Sequence, residues 1–261
     1  MDDLSYFVSL DWRGLHDLDP SIHIINVEEL SPARTLQTTP GGGIGSHVLR
    51  DQVNSLGVRV QFVILTDNLP RRKAVCGEVA KWCRAGKYLS ISDRPGQRLR
   101  VRCTSMPVIT DARDWWKPLS LTFTAYEAPW WEAITPALVA SSEAQMQHQS
   151  KLCFAGTQEE SLLDVTVTAK AAVSTVSIAA NGSAMTFDGL TLANGEQLVI
   201  SHEDGLLVAY TLQGDVRTPC LGCRTADSSD DLTVYSCMDN IIDLTADGAV
   251  TVQMSARGRF D

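Results

Sequence analysis

The chain has 261 residues, of which 44% are hydrophobic and 20% charged, and its formal net charge at pH 7 is −9. This length suffices for two domains, or for one large β domain with a substantial core. No segment approaches the roughly 20 consecutive apolar residues that span a bilayer, so no membrane insertion is expected. The acidic start Met1–Ser5 lacks the basic character of a secretory signal, and export by that route is not predicted.

Charge is divided unevenly along the chain. Residues 1–136 contain 16 Lys and Arg against 15 Asp and Glu, whereas residues 137–261 contain 6 against 16. Such a break predicts two units with different surroundings. Neither unit has the basic excess of proteins that hold nucleic acid through its phosphates, so no specific nucleic-acid binding is expected.

The first half is predicted to contain several strands. They are rich in β-branched and aromatic residues with a period near two, over Ser21–Val27, Val58–Leu65, Tyr88–Ile91, Arg98–Cys103 and Leu119–Tyr126. The glycine-rich segment Gly41–Gly45 has no following Lys-Ser/Thr pair and no strand leading into it. We therefore expect a mobile loop that orders on assembly, not a phosphate-binding loop.

One helix is predicted over about residues 69–86. Pro70 falls in its first turn, where the missing N–H group costs nothing. The apolar face is formed by Val75, Val79, Trp82 and Cys83, which recur at helical spacing. The side chains expected to stay in water are Arg71, Arg72, Lys73 and Lys81. Gly86 stands where a left-handed cap would end the helix.

A domain boundary is predicted after residue 135, followed by a polar linker or short helix over 136–150 and a second domain over 151–261. In the second domain, short runs of Val, Thr, Ile and Leu alternate with turns. The turn signals are Asn181-Gly182, Asp188-Gly189, Asn194-Gly195, Asp204-Gly205, Gly214-Asp215 and Asp247-Gly248. Pairs of this kind supply the positive φ angles of tight hairpins, which predicts an antiparallel sandwich or barrel.

Seven cysteines are scattered along the chain, and buried free thiols in a reducing compartment are the favoured interpretation. Cys220 and Cys223 have the spacing of zinc ligands. Cys237 could be a third ligand and His202 a fourth. Because no second paired motif exists nearby, ordinary loop thiols are favoured and no metal or cofactor is predicted.

The two halves together resemble the distal tail protein family of long-tailed bacteriophages. In the first half the resemblance covers Val58–Trp131. It includes the end of the helix and the residues after it (Ala80–Leu89), the turn Ser92–Gly96 and the closing strand Phe123–Pro129. In the second half it rests on Ala155–Thr157, Asn194–Ile200, Met238–Ile242 and Ala256–Phe260. The sequence departs from the family at Ser201-His202, at Cys237–Asn240 and at the segment Cys220–Cys223.

This resemblance implies a mainly β protein. Its N-terminal β-sandwich carries one flanking helix and forms a ring, and a galectin-like antiparallel β-sandwich follows. The implied function is a non-enzymatic virion protein of the siphophage tail tip, assembled in the host cytoplasm. Six copies would join the tail-tube protein to the tail-tip protein, and to receptor-binding or baseplate proteins, while DNA passes through the bore.

Two sets of side chains are candidates for contact between subunits. They are the strand-face arginines Arg98, Arg100 and Arg102 and the tryptophan doublets Trp115, Trp116, Trp130 and Trp131. Arginine forks suit carboxylates of a neighbour, and aromatic rings suit interface anchors. A solvated strand face and packing at the sheet edge, respectively, are the alternatives.

The residues bear on two other functions. A carbohydrate-binding β-sandwich that recognises host-surface glycans is the alternative, but residues 137–261 contain no Trp and only Tyr210 and Tyr235 for stacking on sugars. A cell-wall enzyme would need a catalytic constellation. The cluster His202–Asp204 lies in a predicted turn without a nucleophile motif, so no enzyme is predicted.

Overall fold

A computed structural model of the chain describes residues 6–40, 46–66, 68–107, 117–203 and 206–261. The protein is mainly β, and one α-helix lies within these residues. The chain divides into two compact units, Met1–Trp131 and Glu132–Asp261. No helix in the described ranges combines the length and apolar character needed to cross a membrane.

In the first unit, two antiparallel sheets enclose the core. The strands are β1 (Val8–Leu10), β2 (Arg13–Gly14), β3 (Ile22–Pro40), β4 (Ser46–Ile64), β5 (Tyr88–Ile91), β6 (Gln97–Arg100), β7 (Arg102–Ser105) and β8 (Leu119–Ala125), and β9 (Trp131–Ala133) follows. One sheet has the order β2-β1-β5-β6 and the other β3-β4-β8-β7. Alternate residues of β8 are buried, as its period-two sequence predicts.

Helix α1 (Leu69–Ala85) joins these two sheets. Asn68 caps its start, since its side-chain oxygen accepts a hydrogen bond from the Arg71 N–H at 3.2 Å. Trp82 contacts one sheet through an edge-on ring contact with Phe123, 6.1 Å between centroids. Its indole N–H donates to the Arg13 carbonyl of the other sheet at 2.9 Å. The predicted apolar face is therefore buried.

Two details of the helix differ from prediction. Gly86 has φ of −84°, so no left-handed cap is present. A Cβ at this position would lie 2.5 Å from Cβ of Leu10, so close packing against β1 is what requires glycine here. Arg72, expected in water, is only 2% exposed, because it faces the unit interior beside Val75 and Val79.

The second unit is an antiparallel β-sandwich. Its remaining strands are β10 (Ala137–Ala140), β11 (Gln145–Leu152), β12 (Glu160–Ala169), β13 (Val176–Ala180), β14 (Ser183–Phe187), β15 (Gln197–Glu203), β16 (Leu206–Gln213), β17 (Val216–Pro219), β18 (Thr233–Tyr235), β19 (Asn240–Ala256) and β20 (Arg259–Phe260). The main order is β14-β13-β19-β12-β15-β16-β17, and β10 and β11 also pair with β19. The core includes Val165, Phe187, Ile200 and Met254.

The predicted linker over 136–150 is wrong, because most of this segment is strand. Ala137–Ala140 and Gln145–Leu152 both pair with β19 as part of the second unit. Most exposed side chains of β11 are polar, including Gln147, Gln149 and Lys151, whereas β10 is apolar and packs Ala137 and Val139 against the core. The polarity that suggested a linker is therefore that of a strand with a solvated face.

Most of the predicted turns are present. Asn181 and Gly182 have φ of +48° and +87° and form the two-residue loop between β13 and β14. The segment Asp247-Gly248 is different, because strand β19 runs straight through it. Gly248 is required by close approach instead, since a Cβ there would lie 2.3 Å from the Ala172 carbonyl oxygen. Asp204-Gly205 lies outside the described residues.

Candidate assembly interface

Strands β3 and β4 extend well beyond the sheet to which they belong. They pair with each other along nearly their full lengths, from Ile22 with Ile64 to Pro40 with Ser46. Strand β8 covers β4 only over Leu56–Phe62. The part of the hairpin from Ser31 to Ser55, excluding Gly41–Gly45, is therefore a two-stranded ribbon, which we call the arm. The expected loop Gly41–Gly45 itself lies outside the described residues.

The described side chains of the arm, those of Ser31–Thr38 and Val53–Ser55, include none that is fully buried. Every residue of Ser31–Thr38 is exposed, including Leu36 at 60%. An isolated two-stranded ribbon is at best marginally stable in water, and both of its edges present unpaired backbone groups. Asn54 and Thr35 join the two strands by a side-chain hydrogen bond of 2.5 Å. The edges of such a ribbon are able to pair with a strand of another polypeptide.

The arginine stripe does not lie on one strand. The chain leaves one sheet at Arg100 and enters the other at Arg102, so the predicted strand Arg98–Cys103 is two strands that break at Val101. Arg100 and Arg102 both bind Glu127 of the same chain, at 2.6 and 2.8 Å. The guanidinium of Arg98 lies 4.0 Å from the ring centre of Tyr88.

These contacts narrow the predicted interface. Arg100 is 14% exposed and serves its own chain, whereas Arg102 is 72% exposed and keeps most of its surface available. An exposed arginine can contact a neighbouring subunit while still holding Glu127, because its fork carries several donors. Arg102 is therefore the member of the stripe best placed for such a contact.

The tryptophans fall into three groups. Trp131 is fully buried, and its indole N–H donates to Glu29 at 3.2 Å, so the prediction that it contacts a neighbour is wrong. Arg94 holds the same carboxylate through two hydrogen bonds of 2.7 and 3.0 Å. Trp130 is half-buried and stays a candidate. Trp115 and Trp116 lie outside the described residues.

A further aromatic residue was not singled out from the sequence. Trp12 is 73% exposed at the tip of the β1–β2 hairpin. Both turn residues, Asp11 and Trp12, have positive φ, of +47° and +72°. The Asp11 carboxylate holds this turn by accepting hydrogen bonds from the Lys87 and Tyr88 N–H groups at 2.9 and 3.0 Å. Only the turn geometry reveals it, because the sequence Asp-Trp is no turn signal.

The three cysteines considered as weak metal ligands, Cys220, Cys223 and Cys237, do not form a ligand cluster among the described residues. Cys220 is buried, and burial, with the nearby Cys223 as a smaller cause, raises its pKa to about 11. The Cys237 thiol donates to the Gly156 carbonyl at 3.5 Å. His202 has its two ring nitrogens 3.1 Å from Asp164 and 3.2 Å from Asp231. The described residues contain no group of three or more His, Cys, Asp or Glu side chains able to hold a metal ion.

The residues named for sugar stacking have other contacts. Arg217 lies over the ring of Tyr210, 4.6 Å from its centre, and also binds Glu203 at 3.0 Å. The Tyr235 backbone N–H donates to the buried side chain of Asn240 at 2.6 Å. One ring face of Tyr210 is therefore occupied within the chain, which leaves less aromatic surface for a saccharide.

No protein-family model and no curated protein sequence matches the chain. Among solved structures, the Dit (gp 19.1) protein of phage SPP1 matches with a TM-score of 0.70 and 10% identity, over 97% of this chain and 98% of that one. It is described as a paradigm of the hub adsorption apparatus in phages that infect Gram-positive bacteria.

A second match is the baseplate of phage P2 in its activated conformation. The calcium-bound form gives a TM-score of 0.58 with 8% identity, and the strontium-bound form gives 0.57 with 7%. Both alignments cover 97% of each chain. Because these likenesses include both units, the two-unit order is part of the shared architecture. The chain thus has, along almost its whole length, the fold found in the SPP1 Dit protein and in the P2 baseplate.

Proposed function

We propose that the protein is a structural component of a bacteriophage tail tip, where it forms a ring that joins the tail tube to the tip or baseplate. The observation that carries this proposal is the fold likeness to phage hub and baseplate proteins over 97% of the chain. A likeness confined to one sandwich would be weak support, because β-sandwiches serve many functions. Here the same two units occur in the same order.

The arm supports self-association. Its exposed edges can add to a sheet of a second copy, so that main-chain hydrogen bonds join subunits without a large apolar surface. A contact between two different surfaces of identical subunits is head-to-tail, and it closes into a ring when the rotation permits. Six subunits is the number that the tail-tip role implies. In addition to the arm, we propose that the side chains of Arg102 and Trp130 contact the neighbouring subunit.

The proposed mechanism is geometric and non-enzymatic. The first unit builds the ring, whose bore continues the path of the DNA from the tail tube. The second unit, which carries the net negative charge, is the proposed docking surface for tail-tip, receptor-binding or baseplate proteins. No catalytic step is part of this role, because the ring has only to hold its neighbours and leave the channel open.

The test is the assembly state of the full purified chain. We expect light scattering after size exclusion to give six times the chain mass of 28.4 kDa, and electron microscopy to give sixfold rings with a central hole. Antibodies against the protein should label the distal end of phage tails. A chain that remains monomeric at all concentrations and labels no tail particle would contradict the proposal.

A further inference from the structure

Two cysteines from different elements of the first unit lie side by side. Cys83 is in the last turn of α1, and Cys103 is in β7. Cα atoms of these two elements lie within 8 Å of each other. Trp82, adjacent to Cys83, packs edge-on against Phe123, which is the residue opposite Cys103 in the β7–β8 register. The Cys103 thiol donates to the Ser105 carbonyl oxygen at 3.3 Å, and each thiol is the main influence on the pKa of the other.

The two thiols have different environments. Cys83 is 4% exposed, and donation of its hydrogen to Cys103, together with burial, raises its pKa. Cys103 is half-buried, and the hydrogen bond received from Cys83 lowers its pKa. Because the thiolate is the nucleophile in disulfide exchange, Cys103 is the thiol that reacts first with a reagent from solution. Cys83 then lies next to the mixed disulfide formed on Cys103.

We propose that Cys83 and Cys103 are a redox pair that forms a disulfide on exposure to a disulfide oxidant, and so fastens helix α1 to the sheet. The Cys103 thiolate attacks one sulfur of the oxidant, forms a mixed disulfide and releases one thiolate. Cys83 then loses its proton to solvent and attacks the Cys103 sulfur, releasing the second thiolate. The protein loses two electrons and two protons, and the oxidant becomes two thiols.

A cross-link here closes a loop of about 20 residues, long enough to restrict the unfolded chain appreciably. Disulfides persist outside cells and are reduced inside them. The bond would therefore form in a released particle and be absent during assembly. That timing depends on the proposed function, whereas the reaction of the purified chain does not.

The experiment is a peptide map of the full chain under non-reducing conditions, with oxidised glutathione as the oxidant. Trypsin releases Cys83 in Trp82–Arg84 and Cys103 in Cys103–Arg113, so the proposed bond yields one distinctive cross-linked peptide. We expect this peptide after oxidation and its loss on reduction. Cys76→Ser, a change at another half-buried thiol of α1, is the matched control and should leave the cross-link intact.

Thermal unfolding gives the second measurement. Oxidation should raise the melting temperature of the wild type and of Cys76→Ser by about 5 °C and leave Cys103→Ser unchanged. Glutathione that stays on Cys103 without transfer to Cys83, or a Cys83–Cys103 peptide with no rise in melting temperature, would overturn the proposal. The peptide map of the wild-type chain requires no variant. The proposal can therefore still be tested if Cys103→Ser folds poorly.

Discussion

Asn240 is the buried polar residue whose role the structure defines most fully. Its side chain is completely buried at the start of β19. Its amide nitrogen donates to the carbonyls of Leu152, Tyr235 and Met238 at 3.0, 2.8 and 3.2 Å. Its oxygen accepts from Asn181 and from the Tyr235 N–H, both at 2.6 Å. One side chain thus binds backbone groups of β11, of β18 and of the turn before β19.

We predict that Asn240→Ala lowers the free energy of unfolding by about 3 kcal/mol, because it leaves several buried donors and acceptors without partners. Urea denaturation of the full chain measures this change. Asn194→Ala, an exposed change in the same unit, is the control and should alter stability by less than about 0.5 kcal/mol. If Asn240→Ala lowered the free energy of unfolding no more than the control does, water would have to replace the lost hydrogen bonds, and the prediction would be wrong.

At the same scale, side-chain partners were the part of the candidate site that could not be predicted. The period-two pattern put Arg98, Arg100 and Arg102 on one face, but Glu127 lies 25 residues after Arg102 and no local pattern connects them. Trp131 is predicted to contact a neighbouring subunit because two adjacent tryptophans rarely both lie in one core. Its burial depends on Glu29, which lies 102 residues earlier.

At the scale of elements, strong local signals gave correct predictions. The helix was predicted from its apolar spacing and Pro70, and strands such as β8 from alternation of apolar and polar residues. Elements with little buried surface were missed. Ser31–Pro40 is polar and contains prolines, and β11 exposes most of its side chains, so neither segment carries the alternation that reports burial.

The arm provides the prediction at this scale. Replacing Arg34–Asn54 by Asn-Gly joins Ala33 to Ser55, which are already paired across the hairpin, through a two-residue turn. Because Ser31–Thr38 contacts no core, we expect the melting temperature of the monomer to change by less than about 3 °C. Ring formation should be lost, since the arm supplies the proposed contact between copies.

Size exclusion with light scattering measures this loss. Val216→Ser, an exposed change in the second unit, is the control and should assemble like the wild type. Rings of unchanged mass from the shortened chain would locate the contact between copies elsewhere in the first unit, with Trp12 and Arg102 the next residues to change.

For the whole molecule, the distribution of charge bears on the proposed passage of DNA through a ring of subunits. The chain carries −9 overall, with −10 on residues 137–261 and +1 on residues 1–136. The first unit is nearly neutral, and its arginines Arg94, Arg100 and Arg102 are engaged by Glu29 and Glu127. In the proposed ring, a nearly neutral first unit would present little net positive charge to the phosphates of passing DNA.

We therefore predict that the purified full chain binds duplex DNA more weakly than about 100 μM at 0.15 M salt, at or beyond the weak end of ordinary non-specific binding. Fluorescence anisotropy of a labelled duplex, repeated over a salt series, measures this. Arg102→Glu should leave the result unchanged, since Arg102 is not a phosphate contact in the proposed ring. Micromolar binding that weakens steeply with salt, and further in Arg102→Glu, would instead assign the arginine stripe to DNA and contradict the passive conduit.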